Sequence, residues 1–203
     1  MLILGLNGSP NKDGNTKALL NVVLAEAEKR GAKTQILEVP QLLKSAKQPF
    51  CTVCSSPCSA QCYKGTALEE AFELLKKADG LIAGSPVYFG TLSGQLKAFF
   101  DKTRRLRAEK SLYNTVGAGL TVGNTKYGGQ QLVLRAIHDI MLVQGMIIVG
   151  DGYLEDDCGY QGVCAQKPGA EDEFALKRAN ILGKRMVEVC EATASLRRLK
   201  ASL

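Results

Sequence analysis

Leu2-Ile3-Leu4-Gly5-Leu6-Asn7-Gly8-Ser9-Pro10-Asn11-Lys12-Asp13-Gly14-Asn15-Thr16 decides the fold. Its first half is apolar without alternation, the pattern of a strand covered on both faces in a parallel sheet. Gly8-Ser9-Pro10 ends that run. From Thr16 to Arg30 the residues Leu19, Leu20, Val23, Leu24 and Ala27 recur at helical spacing, and Gly31 supplies the stop. A buried strand passing through a Gly/Ser/Asn loop into a helix is the opening of a βαβ unit.

The alternation continues along the chain. Lys33 to Val39 predicts a second strand, followed by a cysteine-bearing loop at about 49–64. Thr66-x-x-Glu69 reads as a capping box ahead of a helix reaching about Ala78. Leu81 to Gly84 is the third strand, and a helix over about Ser93–Arg105 follows. Thr115 to Val122 is the fourth strand. Gly123 to Gly129 then leads into a long helix ending at Gly145. Met146 to Gly150 is the fifth strand, and a helix over about Glu171–Ala194 closes the pattern. Five short apolar strands separated by helices predict a three-layer α/β sandwich with a five-stranded parallel sheet and right-handed crossovers. Ligands in such sheets bind beyond the carboxyl ends of the strands. The loops after strands one to four are therefore expected to converge, the cysteine run included.

Composition agrees with a globular α/β chain. The 203 residues, 21.8 kDa, are 45% hydrophobic and 23% charged with a mean hydropathy of -0.04. A chain of this size buries roughly 70% of its surface on folding, so one domain over 1–203 needs no disulfide support. No stretch approaches the roughly 18 apolar residues of a membrane span. The amino-terminal apolar run is too short for a signal peptide, which gives a cytoplasmic expectation. The net charge of +6 favours anionic partners mildly. Basic residues gather only between Lys97 and Lys110, without a reading motif or interleaved aromatics. That segment reads as a solvated helix face rather than a nucleic-acid surface.

Two loops carry ligand chemistry. Gly8–Thr16 brings hydroxyls, an Asn amide and free backbone N–H groups to the positive end of a helix, a nest suited to phosphate. It lacks both the Walker ending and the G-x-G-x-x-G spacing, so it holds a phosphate rather than cleaving one. Gly84-Ser85-Pro86-Val87-Tyr88-Phe89-Gly90 sets an aromatic pair beside a rigid Pro and two glycines, where a flat heterocycle can lie. These two loops resemble the NADPH-dependent FMN reductase and iron–sulfur flavoprotein group of the flavodoxin-like superfamily. Gly128-Gly129-Gln130 ahead of the long helix is similar to quinone oxidoreductases of the tryptophan-repressor-binding-protein type. The resemblance covers about residues 1 to 150. It implies sheet order 2-1-3-4-5 and FMN, with the phosphate on Ser9, Asn11, Gly14, Asn15 and Thr16. The isoalloxazine would lie over Ser85, Pro86, Val87, Tyr88, Phe89 and Gly90, bordered by Thr121, Gly123, Asn124 and Gly128. Asn11 stands where the group often has a basic residue, and Lys12 is expected to supply that charge.

Four of the seven cysteines read Cys51-x₂-Cys54-x₃-Cys58-x₃-Cys62. In a reducing compartment a cluster of this kind points to metal or redox chemistry. The spacing is closer to a ferredoxin run than to a zinc ribbon's separated knuckles. Zinc, a redox-active thiol pair and cysteines without function remain alternatives. Iron–sulfur flavoproteins carry a compact motif in this loop, so the resemblance implies a [4Fe–4S] cluster. Their usual C-x₂-C-x₂-C spacing differs from the run here. Cys158 and Cys164 read as ordinary loop cysteines, Cys190 as core, and His138 as a structural residue of the long helix.

The expected function is an FMN-dependent oxidoreductase in which a cluster passes electrons to or from FMN. A ferredoxin-like protein or a small molecule would be its partner. The alternatives are an NAD(P)H-dependent FMN or quinone reductase without a cluster, and a non-catalytic flavin carrier. Flavin chemistry needs no protein base, so no catalytic side chain is expected. The resemblance implies a homodimer or homotetramer.

Overall fold

A continuous apolar run can be buried on both faces only in the middle of a sheet, and the amino-terminal strand is found there. In the computed structural model, which describes residues 1–198, β1 (Leu2–Asn7) lies between β2 (Lys33–Glu38) and β3 (Gly80–Pro86). The sheet continues through β4 (Val116–Gly123) to β5 (Ile147–Ile148), giving the order β2-β1-β3-β4-β5 with every pair parallel. A sixth strand, β6 (Val163–Gln166), pairs with β4 beyond β5, Leu120 opposite Val163 and Gly123 opposite Gln166. The fifth place in the sheet is thus shared by two short strands.

Helices cover both faces. α1 (Asn15–Lys29) and α7 (Glu173–Ala192) pack over Ile3, Ile82, Val116, Ala118 and Leu120. α2 (Val39–Ser45), α3 (Ala67–Lys77), α4 (Gly94–Asp101), α5 (Arg104–Ala108) and α6 (Gln130–Val143) bury the opposite face with Leu4, Leu6, Leu81 and Ala83. α8 (Ala194–Arg198) ends the described chain. Gly117 and Gly119 turn towards α6. A Cβ there would stand 2.7 Å from Met141 Sδ and 2.9 Å from Leu134 Cδ2, so the absence of side chains sets how closely α6 approaches. Among the described residues no helix is long and apolar enough to cross a membrane.

Several expectations need correction. The second strand does not pass directly into the cysteine loop, because α2 intervenes, with Pro40 in its first turn. The helix expected over Ser93–Arg105 breaks at Lys102 and Thr103 into α4 and α5. Thr66 is the N-cap of α3, but its hydroxyl donates to Tyr63 O at 2.6 Å and makes no capping bond, while Glu69 accepts from Gly65 N at 2.7 Å. The fifth strand shrinks to two residues because the chain leaves the sheet after Ile148. Cys164 lies in β6, not in a loop.

Residues 149–162 form an excursion between β5 and β6 that is tied to α7 by charge. Asp151 is fully buried, and Arg178 of α7 is 2% exposed. Arg178 Nε donates to Asp151 Oδ2 at 2.6 Å, and its Nη1 donates to Asp157 Oδ1 and Oδ2 at 2.9 and 2.8 Å. Its Nη2 donates to the Asp151 carbonyl, and the guanidinium lies 5.3 Å from the Tyr160 ring centroid. Asp151 also accepts from Tyr160 N.

His138 is half-buried on α6, with Nε2 enclosed and without a partner among the described residues. Burial holds its pKa below the usual imidazole value, with Asp139 opposing weakly. A neutral form favoured by folding gives stability that is complete above the unfolded-chain value near 6.5. That stability is lost as pH falls towards the depressed native value. Replacing His138 with Gln is expected to flatten the decline of Tm between about pH 7 and pH 5; an unaltered profile would assign the decline to other groups.

Candidate functional site

The loops after β1, β3 and β4 meet at the carboxyl edge of the sheet. Gly8 N donates to Gly84 O at 2.8 Å, and Ser93 Oγ donates to Gly8 O at 2.6 Å, joining the first and third loops. A Cβ on Gly8 would lie 2.8 Å from both Gly84 O and Leu96 Cβ, so this approach requires glycine. Val87 N donates to Val122 O at 3.0 Å, and Gly129 approaches Gly90 and Val87, joining the third loop to the fourth.

The first loop is wound on itself. Ser9 is buried, with its N donating to Asn7 Oδ1 at 3.2 Å and its Oγ accepting from Asn11 N at 3.2 Å. Gly14 N donates to Asn11 O at 3.3 Å, and Gly14 is the N-cap of α1, so no side chain caps that helix. No acidic residue occupies its first turn. The amides at the start of α1 therefore keep their donors for a ligand. Thr16 is buried against Gly84, while Asn15 Oδ1 accepts from Gly169 N at 2.9 Å.

Charge near this loop is already divided. Lys17 Nζ contacts Glu38 at 2.9 Å and Asp13 at 3.3 Å. The hydrogen bond with Glu38, helped by Asp13, raises its pKa against a smaller effect of burial. Glu38 also accepts from Asn7 Nδ2 at 2.8 Å. Lys12 is exposed and has no ion pair among the described residues.

The third loop closes on Tyr88, Phe89, Gly90 and Thr91. Tyr88 and Thr91 exchange backbone hydrogen bonds at 2.9 and 3.0 Å around Phe89 and Gly90, whose φ values are +47° and +75°. Phe89 is a bulky residue in the left-handed region, and its ring is fully exposed. Ser85 braces this loop from within. Its hydroxyl donates to Pro86 O at 2.8 Å and accepts from Ser93 N at 2.9 Å in a fully buried position, so it orders the loop.

Thr121, opposite Ser85 in the sheet, is buried with Oγ1 unpartnered among the described residues. Gly123 packs on the Gln130 side chain and accepts from Lys167 N at 2.8 Å. Asn124 is exposed, and Gly128 N donates to Thr125 O at 3.2 Å. A cleft of about 1030 Å³ opens here between Tyr127 and Gln130 on one side and Gln166, Lys167 and Phe174 on the other. Cys164 lines it, its thiol pushed up to about 11 by burial, with Asp151 adding to the shift. The uncapped start of α1, the unpartnered Thr121 hydroxyl and the aromatic turn fit a phosphate-bearing flat heterocycle such as FMN.

The cysteine run does not join this edge. Arg104 Nη1 donates to Ser55 O at 3.5 Å, and Cys51 and Val53 share a cavity of about 540 Å³ with Thr103, Val143 and Gln144. These are the ends of α4 and α6, which lie at the edge opposite the loops. α2 carries the chain down the flank of the sheet before the cysteines begin, which is why they miss the convergence. The side chains of Cys51, Cys58 and Cys62 are partly buried, Cys54 is exposed, and all are free thiols. Among the described residues no three His, Cys, Asp or Glu side chains are gathered as a metal-holding group. The donor set, four thiols within one loop, fits an iron–sulfur cluster in its chemistry. The basic run beside it is also not wholly solvated. Lys97 and Arg105 pair with Asp101 and Glu109, but Lys102 is 1% exposed and its ammonium has no partner among the described residues.

Comparison with known proteins agrees with this geometry. The family described as NADPH-dependent FMN reductase matches residues 1–161. An iron–sulfur flavoprotein of Methanocaldococcus jannaschii is 35% identical over 193 residues, covering 93% of this chain and 97% of that protein. An NAD(P)H dehydrogenase (quinone) of Archaeoglobus fulgidus is 33% identical over 190 residues, covering 88% and 92%. Among solved structures, a flavodoxin-type WrbA-like protein from Agrobacterium tumefaciens superposes with a TM-score of 0.66 at 19% identity, over 94% and 96% of the two chains. The fold is flavodoxin-like, and the chain belongs to the NADPH-dependent FMN reductase family of FMN oxidoreductases.

Proposed function

We propose that this chain is an FMN-dependent oxidoreductase that exchanges electrons between FMN and a [4Fe–4S] cluster held by Cys51, Cys54, Cys58 and Cys62. The observation that carries the reading is the set of four free thiols in one loop of a chain whose sheet edge fits FMN. The iron–sulfur flavoprotein relative supports it. Bound FMN supplies the hydride and one-electron chemistry. Ser9, Asn11, Gly14, Asn15 and Thr16 hold the phosphate, and Lys12 balances its charge. Pro86, Val87, Tyr88, Phe89 and Gly90 support the ring, with Ser85 ordering their loop. Thr121, Gly123, Asn124 and Gly128 border it. No side chain here acts as a base.

Separation of the cysteine run from the flavin edge within one chain favours transfer between subunits of a homodimer or homotetramer. The exposed rings of Phe89 and Tyr127, 108% and 91% accessible, support a second subunit at the rim. A ferredoxin-like protein or NAD(P)H supplies the electrons. The ungathered thiols favour a second reading, an NAD(P)H-dependent FMN or quinone reductase without a cluster.

Anaerobic purification followed by a visible spectrum and assays of FMN, iron, sulfide and zinc separates the two. About one FMN and four iron per chain supports the cluster reading, and FMN without iron overturns it. Replacing Cys54 with Ser is expected to abolish the cluster's absorbance near roughly 400 nm while leaving the flavin bound. Flavin loss in that variant would make the loop a structural element instead.

A further inference from the structure

Residues 39–68 and 97–110 carry nine basic and two acidic side chains, and the remainder of the sequence carries 17 basic and 18 acidic ones. The positive excess of the chain therefore belongs to the cysteine loop and to α4–α5. No Asp or Glu occurs between Glu38 and Glu69. The two segments form one face. Arg104 Nη1 donates to Ser55 O at 3.5 Å, and Val53 shares the cavity of about 540 Å³ with Arg104, Arg107 and Val143.

The acids of this face are already answered. Asp101 holds Lys97 Nζ at 2.6 Å, and Glu109 takes both Arg105 and Lys76. Arg104 and Arg107 reach only carbonyls, those of Ser55 and Val143, among the described residues. Asp139 is the remaining carboxylate of the cavity lining, set against both guanidiniums. Lys102, enclosed between α4 and α5 without a partner among the described residues, adds its charge. The centre is apolar. Val53 and Val143 line the cavity, yet they are 61% and 60% exposed. Val53 is a β-branched residue held at φ +52°, and folding gains little from exposing it there. An apolar hollow with unpaired cations at its rim is the layout of a protein interface.

We propose that this face docks a small acidic electron-carrier protein, with its carboxylates on Arg104 and Arg107 and an apolar side chain in the hollow between Val53 and Val143. That the partner carries electrons rests on the oxidoreductase reading above; the docking rests on the face alone. A second copy of the chain fits poorly, because its clustered acids are engaged. Asp151 and Asp157 hold Arg178, Asp156 holds Lys184, and Asp172 caps α7. An aliphatic hollow takes a side chain, which neither a flat bilayer nor a phosphate backbone presents.

The test titrates the full-length, FMN-loaded protein calorimetrically with an acidic two-[4Fe–4S] ferredoxin. Binding is expected to weaken at least tenfold between about 0.05 and 0.3 M salt. Arg104→Glu with Arg107→Glu is expected to weaken it at least about tenfold at fixed salt, with FMN content unchanged. Lys33→Glu with Lys177→Glu makes the same change of charge on exposed residues elsewhere and is expected to leave affinity within about twofold. Val143→Arg adds a cation but fills the hollow, so it too is expected to weaken binding, and it reads the site if the double reversal does not fold. Absent binding by the wild type, equal weakening by the two reversals, or tighter binding by Val143→Arg overturns the docking site. Tighter association with phosphatidylserine vesicles, with duplex DNA or with a second copy in sedimentation, abolished by the arginine reversal, overturns it in favour of that ligand. Wild-type protein that binds the ferredoxin but holds no iron overturns the cluster reading and upholds the docking face, which separates the two failures.

Discussion

Replacing Arg178 with Met is expected to remove about 3–5 kcal/mol of folding stability, the largest single-residue loss away from the apolar core. The reason is what stays behind. Asp151 is fully buried, and its carboxylate has Arg178 as its only ion-pair partner among the described residues. Without the guanidinium a charge is enclosed beside apolar groups, and desolvating an unpaired carboxylate costs several kcal/mol. The same side chain joins Asp157, the Asp151 carbonyl and the Tyr160 ring, so residues 149–162 lose their attachment to α7. Urea unfolding followed by circular dichroism measures the loss. Adding Asp151→Asn to the variant is expected to restore a large part of it, because the stranded charge disappears. A loss below about 1 kcal/mol would put the pair in the class of solvated surface bridges. The effect reaches the flavin edge, since β6 follows this excursion and Lys167, just past it, donates to Gly123 O.

FMN retention gives the second large effect. Replacing Asn15 and Thr16 together with Ala is expected to weaken FMN binding by about 10²-fold or more. Two hydrogen bonds to a charged phosphate contribute about 1.5–3 kcal/mol each, and every 1.4 kcal/mol is tenfold in affinity. The backbone amides at the uncapped start of α1 stay in place in the variant, so the loss reads the two side chains alone. Flavin fluorescence titration of the apoprotein reads the change. Riboflavin, which lacks the phosphate, is the control and should bind the variant as it binds the wild type. Equal FMN affinity in both proteins would sink the assignment of the phosphate to this loop. Equal weakening of riboflavin would trace the effect to Gly169, whose amide Asn15 holds at 2.9 Å.

The parallel sheet was legible because its central strands are buried on both faces, leaving unbroken apolar runs at Leu2–Leu6 and Leu81–Ala83. Smaller elements left weaker marks. α2 starts directly from the second strand, and its N-cap Glu38 makes no capping bond with its side chain, so Pro40 in the first turn was the available signal. β6 is four residues long and framed by Gly162 and Lys167-Pro168, so it offers no periodicity to read. The break between α4 and α5 leaves Lys102 buried, which no spacing rule anticipates for a lysine. Arg178 could have been found, since it follows Ala175 by three residues and precedes Leu182 by four on the buried face of α7. A guanidinium on that stripe requires a partner. Among the proposed ligand residues, the loop-to-loop meeting of Gly8 with Gly84 followed from topology. The inward bonds of Ser85 did not, because a serine beside a proline reads equally well as ligand donor or loop brace.

The division of the fifth strand place bears on how the molecule behaves among its own copies. An open sheet margin displays unpaired N–H and C=O groups, and a long, flat margin is a template on which another chain can add a strand. On the β4 side this margin is offered only as two residues at Ile147–Ile148 and four at Val163–Gln166, with the folded excursion standing between them. No incoming strand finds a straight run to follow. The interruption that looks like a defect of the sheet therefore acts as a guard against aggregation.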